Sequence, residues 1–503
     1  MFQFVPLGFV SIYFLYLIIR YITKSRTDAP GPKGWPLLGN TLEFNMKHSP
    51  VQIAKWAKEY GDVFKINLLG EDIIVINGES CYEALVKRGD DFAGRPYLNR
   101  LAWMTEMCED IIMADNGPEQ KKRRKIAHSG LKQYGTGMAR IEQVNANEIK
   151  GFLKLVEDKK GSPFDPRDDV YRCIIKILTK MIPNYHYRHY HCSQLFGEAM
   201  RDEDEIKTIA ELDETIVRAV GVGKGMELDY FPWLRFFGNS TYKTIEHFIT
   251  IRNELYDRWI LVSKDTMEKG RIRGMVDWLL VSQENDPTIT DTNVRMMIQN
   301  LLHAGITTTE SIIETGILIL MNYPDIQKKI QMSIDAKLGR ERFPTLDDRH
   351  NLPYVDAFIL ETLRYTSNVP LAAPHKATKD TSLGEYFIPK DTQIWMNLFG
   401  LHHDERHFAD PWIFKPERFL DKNGDVIPVD QRKMLMPFGA GRRVCIGEQL
   451  ARARLFLFFT AVLQKFDFLP QEGTRCPSCD PRGFMIGIVL RPNSYKVRAI
   501  LRT

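Results

Sequence analysis

The sequence has few cysteines and no strong excess of charge of either sign. Seven cysteines occur in 503 residues, and only Cys476 and Cys479 lie close together. A disulfide scaffold is therefore not expected, and a reducing compartment is favoured. The net charge is only +4, from 68 basic and 64 acidic residues, so nucleic-acid binding is not indicated. Repeats and low-complexity segments are missing, and 44% hydrophobic with 26% charged residues is typical of a globular chain.

The amino-terminal segment is predicted to anchor the protein in a membrane. Residues 2–19 carry no charge, and as a helix they would span about 27 Å, enough to cross a hydrocarbon core. Arg20, Lys24 and Arg26 follow, which places the rest of the chain in the cytoplasm. A cleaved signal peptide would need a cationic start and a small-residue cleavage site, and both are missing. We expect an uncleaved anchor at residues 1–20, a basic and proline-rich hinge at 21–40, and the body from residue 41 to 503.

The body is predicted to be one mainly α domain with small β-sheets. Short β-branched runs near the amino end indicate strands, and helical periodicity dominates from about residue 118. No linker after residue 40 would separate independent folding units. The clearest predicted strands are residues 63–66, 73–76 and 393–396, and the clearest predicted helices are residues 294–321, 354–365 and 446–466.

A loop around one cysteine carries the strongest chemical signal. Residues 437–448 read Pro-Phe-Gly-Ala-Gly-Arg-Arg-Val-Cys-Ile-Gly-Glu and lead into the amphipathic run 450–463. Neighbouring arginines and helix-start amides favour an ionised Cys445, and the glycines let the backbone approach something large and flat. A buried structural cysteine explains neither feature. The chemistry alone predicts a low-pKa cysteine that acts as a nucleophile or as a metal ligand.

The same loop resembles the haem-binding loop of the cytochrome P450 superfamily. Phe438, Gly441, Arg443, Cys445 and Gly447 fill its pattern Phe-x-x-Gly-x-Arg-x-Cys-x-Gly. The resemblance implies a cytochrome P450 fold and a haem whose axial iron ligand is the Cys445 thiolate. It also implies that Phe438 and Gly447 belong to the cofactor-binding loop and that Arg443 contacts a haem propionate.

Two further segments agree with the family in type and order. Glu361 and Arg364 lie three residues apart on a predicted helix and therefore share a face. Arg418 follows in the Pro-Glu-Arg-Phe segment 416–419. The resemblance implies that these three side chains form a buried network on the proximal side of the haem. Because buried ionic networks tolerate no missing member, we expect them to be structural, not catalytic.

The middle of the predicted helix 294–321 is expected to hold the catalytic groups. Ala304, Gly305, Thr307 and Thr308 match a family segment at which the helix opens to admit dioxygen and water, and threonine hydroxyls weaken a helix by competing for its carbonyls. A packing groove of small residues is the alternative. Thr308 takes the proton-delivery position, whereas Thr307 stands where the family has an acid. Glu310 is out of register to replace that acid, so delivery runs through Thr308 and water alone, or the chemistry needs less proton transfer.

Basic groups are expected to bind the haem propionates and an electron donor. Residues 116–131 resemble the family helix that lies over the propionates, with Arg124 in the arginine place and Gln120 where the family has tryptophan. His375 resembles a propionate-binding histidine of the animal microsomal branch. Residues 121–125 are five consecutive cations, which form either a solvated helix face or a docking patch for an acidic donor.

The resemblance implies a haem-thiolate monooxygenase of the endoplasmic reticulum membrane. Because the chain has no dinucleotide fingerprint, electrons from NADPH are expected through NADPH-cytochrome P450 reductase, with cytochrome b5 left open as a second donor. The expected partners are a lipophilic substrate and membrane lipid, without nucleic acid. The pocket is expected along residues 97–113, 302–304, 369–373 and 484–486, windows that are mostly apolar.

The substrate is less sharply indicated than the chemistry. Segments 91–96, 384–386 and 401–404 are most similar to steroid 17-alpha-hydroxylases, and next to aryl-hydrocarbon hydroxylases. A steroid is therefore the first expectation, and a flat aromatic xenobiotic is the second. Two alternatives stay open, namely a lipid-peroxide isomerase or dehydratase that needs no external electrons, and a haem protein used for binding or sensing.

Overall fold

The fold is mainly helical with small sheets, as predicted. A computed structural model describes residues 27–136, 138–182, 202–221 and 223–502, and the expected anchor at residues 1–20 lies outside them. The helices are α1 (Ser49–Tyr60), α2 (Gly78–Tyr82), α3 (Asn99–Met104), α4 (Pro118–Thr136), α5 (Met138–Asp158), α6 (Pro166–Met181), α7 (Asp202–Val220), α8 (Glu227–Tyr230), α9 (Ser240–Thr266), α10 (Met275–Asn285), α11 (Asp291–Asn322), α12 (Pro324–Lys337), α13 (Pro353–Thr366), α14 (Leu398–His402) and α15 (Glu448–Lys465). The strands are β1 (Val63–Leu68), β2 (Glu71–Ile76), β3 (His375–Lys376), β4 (Thr381–Leu383), β5 (Tyr386–Ile388), β6 (Gln393–Met396), β7 (Phe466–Pro470), β8 (Met485–Ile486), β9 (Leu490–Arg491) and β10 (Val497–Leu501).

The largest sheet forms from the predicted β-branched runs. Its strand order is β1-β2-β6-β3, with β2 antiparallel to β1 and parallel to β6. The last four residues of β2 are all buried, which is why this run is continuously apolar instead of alternating. At the far edge β3 pairs His375 with Ile394 of β6. The sheet thereby fixes the position of one predicted haem-binding residue.

Helix α11 runs through the centre of the protein. It begins at a capping box in which Thr290 and Asn293 bond each other's backbone N–H groups, and Pro324 opens the next helix. By length and composition it could cross a membrane, but 78% of its most apolar window is buried inside the protein. It is therefore a core helix. Ala304 is exposed although most of its neighbours on α11 are buried.

Helix α15 differs from the prediction. The run 450–463 was expected to be amphipathic, but every residue from Ala453 to Leu463 is buried, including Arg454 and Thr460. The helix packs against α5, α12 and α13, so it has no solvent face to reserve for polar side chains. The Arg454 Nε donates to the Asn145 carboxamide over 3.1 Å, which pairs this buried cation with a polar group.

The described part of the expected hinge lies on the body. The Pro30 carbonyl accepts from the backbone N–H of Lys65 over 2.7 Å, and the Asn40 N–H donates to the Asn67 carbonyl over 2.6 Å. Prolines lack amide donors, so this segment bonds to strand β1 chiefly through its carbonyls and its non-proline residues. The domain boundary at residue 40 stays a prediction.

Candidate active site

The cysteine loop is shaped by two glycines in left-handed conformations. Gly439 and Gly441 have φ of 70° and 66°, and a Cβ at Gly441 would collide with the carbonyl oxygen of Leu85. Gly441 is therefore required by its close approach to the backbone of Leu85. The loop closes where the Cys445 N–H donates to the Phe438 carbonyl over 2.9 Å. This fold leaves Cys445 exposed.

The Cys445 thiol is not held ionised by the loop alone. Desolvation by the surrounding protein raises its pKa, while the backbone N–H groups of Gly447 and Glu448 and the charge of Arg124 lower it by less. The protein alone therefore does not lower the pKa of Cys445, so an ionised thiol at this position has to be stabilised by a bound metal. A metal deprotonates a coordinating thiol, and the described residues contain no cluster of three or more His, Cys, Asp or Glu that could hold a metal. A metal at Cys445 would thus need a prosthetic group for its other ligands.

Several basic side chains near the cysteine loop form no direct ion pair with a carboxylate in the described part of the chain, although the charges of Asp110 and Asp115 act on two of them. Arg443 donates through two nitrogens to backbone carbonyls at 2.9 Å, whereas its buried Nη1 has no partner in the described part of the chain. Burial and the charge of Arg124 lower the pKa of Arg443 to about 10. Burial and Arg443 likewise lower the pKa of Arg95 to about 9. These mutually repelling cations form a site for an anionic group.

Two other predicted positions on this side bond to the backbone. His375 is buried, and its Nδ1 donates to the Phe92 carbonyl over 2.6 Å, so Nε2 is the ring nitrogen left for another partner. Burial, followed by the charge of Arg95, lowers the pKa of His375. Gln120, which stands at the family's tryptophan position, is buried, and its side-chain amide donates to the Ile111 carbonyl over 3.2 Å. This bond holds its side chain against the backbone of residue 111.

The donor set fits a haem. An accessible thiol supplies one iron ligand, and the orphaned Nη1 of Arg443 together with Arg124 and His375 supplies groups for carboxylates. Sequence reasoning missed Arg95, which donates to the Ile112 and Pro374 carbonyls. The segment 91–96 indicated only a branch of the family, and nothing local in it shows that Arg95 approaches Arg443.

The centre of α11 is continuous. Contrary to the expected opening, the helix is unbroken from Asp291 to Asn322. The Thr308 hydroxyl donates to the Ala304 carbonyl over 2.6 Å, as threonines inside helices do. A Cβ on Gly305 would lie 3.1 Å from a methyl carbon of Leu178, so this glycine permits close packing with α6. The segment is therefore a packing groove as well as a candidate catalytic site.

A large cavity borders this segment. Its volume is about 2160 Å³, which exceeds the roughly 300–1,000 Å³ of common ligand pockets. Ala304, Thr307 and Thr308 are among its lining residues. The predicted windows 97–113 and 369–373 contribute to its wall, but near the carboxyl end the lining residues are 487–489 instead of 484–486. Leu302 is buried in the core because its side chain lies on another face of α11. Segments 36–49 and 226–238 also contribute, and sequence reasoning missed them.

Glu361, Arg364 and Arg418 meet in the interior. The Arg364 guanidinium binds both carboxylate oxygens of Glu361 at 2.7 and 2.8 Å and the His402 carbonyl at 2.7 Å. Arg418 adds a bond of 3.0 Å to Glu361. Glu361 and Arg364 are fully buried, and none of the three lines the cavity.

The basic run 121–125 is divided between two faces of α4. Arg123 is buried and binds Glu109 over 2.8 Å, and Arg124 donates to the Val444 carbonyl. Only the two ends of the run, Lys121 and Lys125, are exposed, because residues four apart share a helix face.

Comparisons with known proteins agree with this geometry. The sequence model of the cytochrome P450 family matches residues 29–499. The chain is 32% identical over 498 residues to steroid 17-alpha-hydroxylase/17,20 lyase of Rana dybowskii, covering 96% of this chain and 92% of that protein. It is 32% identical over 475 residues to cytochrome P450 1A1 of Felis catus, covering 90% and 88%.

These matches span nearly the whole chain and include the cysteine loop. The family uses a haem with a cysteine thiolate ligand and takes electrons from NADPH through a reductase. The cofactor that the residues fit is therefore the cofactor of the family. This chain belongs to the cytochrome P450 family and is a monooxygenase.

Proposed function

We propose that this protein inserts one oxygen atom of O2 into a C–H bond of a lipophilic substrate of steroid size, with electrons from NADPH-cytochrome P450 reductase. The observation that carries the proposal is the large, mostly apolar cavity that reaches Ala304 and Thr308. Apolar walls favour an apolar ligand through the hydrophobic effect. Several relatives are named steroid 17-alpha-hydroxylase/17,20 lyase, which supports a steroid as the first candidate.

In this proposal the cysteine loop and the basic cluster hold the cofactor. Cys445 binds the iron, Phe438 and Gly447 shape the loop around it, and Arg443 binds the carboxylates together with Arg124, Arg95 and His375. When bound, the haem supplies the activation of dioxygen. The Glu361–Arg364–Arg418 network keeps the proximal side rigid and takes no part in chemistry.

Thr308 is the group proposed to hold and pass a proton. Its hydroxyl bonds the Ala304 carbonyl, so it has to rotate away or accept a bond from water to serve the cavity. Thr307 lines the same cavity but has no acidic proton near neutral pH. Proton supply therefore depends on Thr308 and water beside the small side chain of Ala304, while Gly305 allows the helix to pack closely against α6.

The domain organisation is part of the proposal. Residues 1–20 anchor the protein in the endoplasmic reticulum membrane, residues 21–40 set the orientation of the body, and residues 41–503 form the catalytic domain in the cytoplasm. The acidic reductase is proposed to dock near the exposed Lys121 and Lys125, where salt would weaken association. Cytochrome b5 is a candidate for the same surface.

An optical titration of the purified, haem-loaded protein tests the substrate class. A ligand that displaces water from ferric iron shifts the Soret band. Saturable shifts with a steroid panel alone support the proposal, and shifts with a flat-aromatic panel alone replace the steroid with an aromatic xenobiotic, in line with the relatives named cytochrome P450 1A1.

One observation favours a second function. Thr307 at the acid position suits a lipid-peroxide isomerase or dehydratase, which needs no proton relay. Reductase-dependent NADPH consumption that is stoichiometric with a hydroxylated product excludes this function. Conversion of a lipid hydroperoxide without NADPH would favour it.

A further inference from the structure

A buried, hydrogen-bonded pair of an aspartate and a histidine lies in the wall of the cavity. Asp213 of α7 and His303 of α11 each have a side chain that is 9% exposed, and both line the cavity. The His303 Nδ1 bonds the Asp213 Oδ1, and its Nε2 lies 2.6 Å from the Tyr256 hydroxyl. The Tyr171 hydroxyl donates to the Asp213 Oδ2 over 2.7 Å. Helices α6, α7, α9 and α11 thus hold the pair in place.

The remaining hydrogen-bonding capacity of this pair is that of an acceptor. Both ring nitrogens of His303 are engaged, whichever of them carries the hydrogen. Each oxygen of a carboxylate has about two lone-pair sites, and in the described part of the chain each oxygen of Asp213 accepts one bond. A ligand that meets the pair can therefore bond to Asp213 only by donating a hydrogen.

Two of the other aspartates that line the cavity accept more hydrogen bonds than Asp213 does. Asp110 accepts from the backbone N–H groups of residues 112–114 and from Asn300. Asp229 is neutralised by Arg100, which gives it three hydrogen bonds. Asp213, in contrast, is bound by a ring nitrogen and one hydroxyl, and it lies across from the helix that carries the candidate catalytic threonines.

We propose that the Asp213–His303 pair is a polar anchor that accepts a hydrogen bond from a substrate hydroxyl. The cavity would consequently select lipophilic alcohols over the corresponding ketones. His303 directly precedes Ala304 and lies five residues before Thr308, about 7.5 Å along the helix axis. A substrate held at its hydroxyl would extend along α11 towards Thr308. The inference rests on the proposed function and specifies one feature of its substrate.

Two matched ligand pairs test the anchor on the haem-loaded protein. Androsterone and androstanedione differ only in one hydroxyl against one ketone, and hydroxypyrene and pyrene form an aromatic pair. Soret titrations give Kd for each ligand with the wild type, Asp213→Asn and the control Tyr171→Phe. Tyr171 contacts the same carboxylate but does not line the cavity. Circular dichroism and the thiolate-type spectrum of the reduced carbon monoxide complex check folding.

We expect the wild type to bind androsterone about tenfold more tightly than androstanedione, because a hydrogen bond to a charged group contributes about 1.4 kcal/mol or more. Asp213→Asn should lose this preference, since its amide can donate to the ketone. Tyr171→Phe should keep it. Equal wild-type affinities, or a preference that survives in Asp213→Asn, would overturn the anchor and leave the monooxygenase proposal intact.

Failure of the steroid proposal has a different signature. If neither steroid shifts the Soret band, the steroid substrate is wrong, and hydroxypyrene against pyrene decides the anchor with the same variants. If hydroxypyrene and pyrene show no difference in affinity that depends on Asp213, the anchor is overturned. If Asp213→Asn does not retain haem, the wild-type affinities for the hydroxylated ligand and for its matched ligand without the hydroxyl still decide whether the anchor exists.

Discussion

Replacement of Arg364 by methionine should destabilise the protein more than loss of any exposed ion pair. The guanidinium makes three hydrogen bonds of 2.7–2.8 Å, two of them to Glu361, and both side chains are fully buried. In Arg364→Met the Glu361 carboxylate keeps only Arg418 and the Lys415 N–H. Removal of one partner from a buried pair costs about 3–5 kcal/mol because the other charge stays in the interior.

The matched control is Arg349→Met, in the short 3-10 helix 346–351 that precedes α13. Arg349 binds Asp356 at 2.8 and 2.9 Å, but 35% of its side chain is exposed. An exposed pair contributes about 0–1 kcal/mol after solvent screening. The free energies of unfolding would be compared by guanidinium titration, with tryptophan fluorescence and Soret absorbance as two probes.

The double variant Glu361→Leu/Arg364→Met separates charge burial from loss of packing. The double variant leaves only Arg418 without its carboxylate partner, since the Glu361–Arg364 pair is removed as a whole. Its cost should therefore be smaller than the sum of the two single substitutions by about 0.5–3 kcal/mol. The reasoning is refuted if Arg364→Met costs no more than Arg349→Met, or if the two single substitutions are additive.

Three further changes probe the candidate site and the core. Cys445→Ser should abolish the thiolate-type haem spectrum, because a serine hydroxyl is not a thiolate ligand. Thr307→Glu introduces an acid beside Thr308, so a larger fraction of the electrons from NADPH should end in product instead of hydrogen peroxide. Glu310→Gln should stabilise the protein progressively as pH rises towards 8, since burial raises the pKa of Glu310 to about 8 and glutamine cannot ionise.

The sign of the Glu310 effect follows from its surroundings. Arg491 and Arg167 lower its pKa, and Glu314 and Asp213 raise it, but burial dominates. A carboxyl whose pKa is raised on folding contributes stability below its ordinary value of 4.5, and this contribution is lost as pH rises to about 8. The loss is about 1.4 kcal/mol per pH unit in this window. A difference in unfolding free energy between wild type and Glu310→Gln that does not change with pH would contradict the argument.

An unchanged haem spectrum in Cys445→Ser would identify a different iron ligand. An unchanged product fraction in Thr307→Glu would show that position 307 takes no part in proton delivery.

The sequence alone was sufficient to predict the elements that depend only on residues close to one another in the chain. The apolar β-branched runs 63–66 and 73–76 became β1 and β2, and the periodicity of 294–321 became α11, because side-chain period decides which face a strand or helix can bury. The cysteine loop was recognisable for the same reason, since its ligand, glycines and arginine lie within ten residues of one another. Residue spacing also allowed Glu361 to reach Arg364.

Tertiary structure decided whatever depends on residues far apart in the chain. The pKa of Cys445 follows from the protein packed around it, and the contact of Gly441 with Leu85 joins positions more than 350 residues apart. Such proximity, like the pairing of Asp213 with His303, has no signature in spacing or composition. Burial likewise divided the basic run between two faces of α4 and removed the solvent face of α15. The sequence by itself determined the fold class and the family, whereas long-range packing determined which charges and hydrogen-bond acceptors face the cavity.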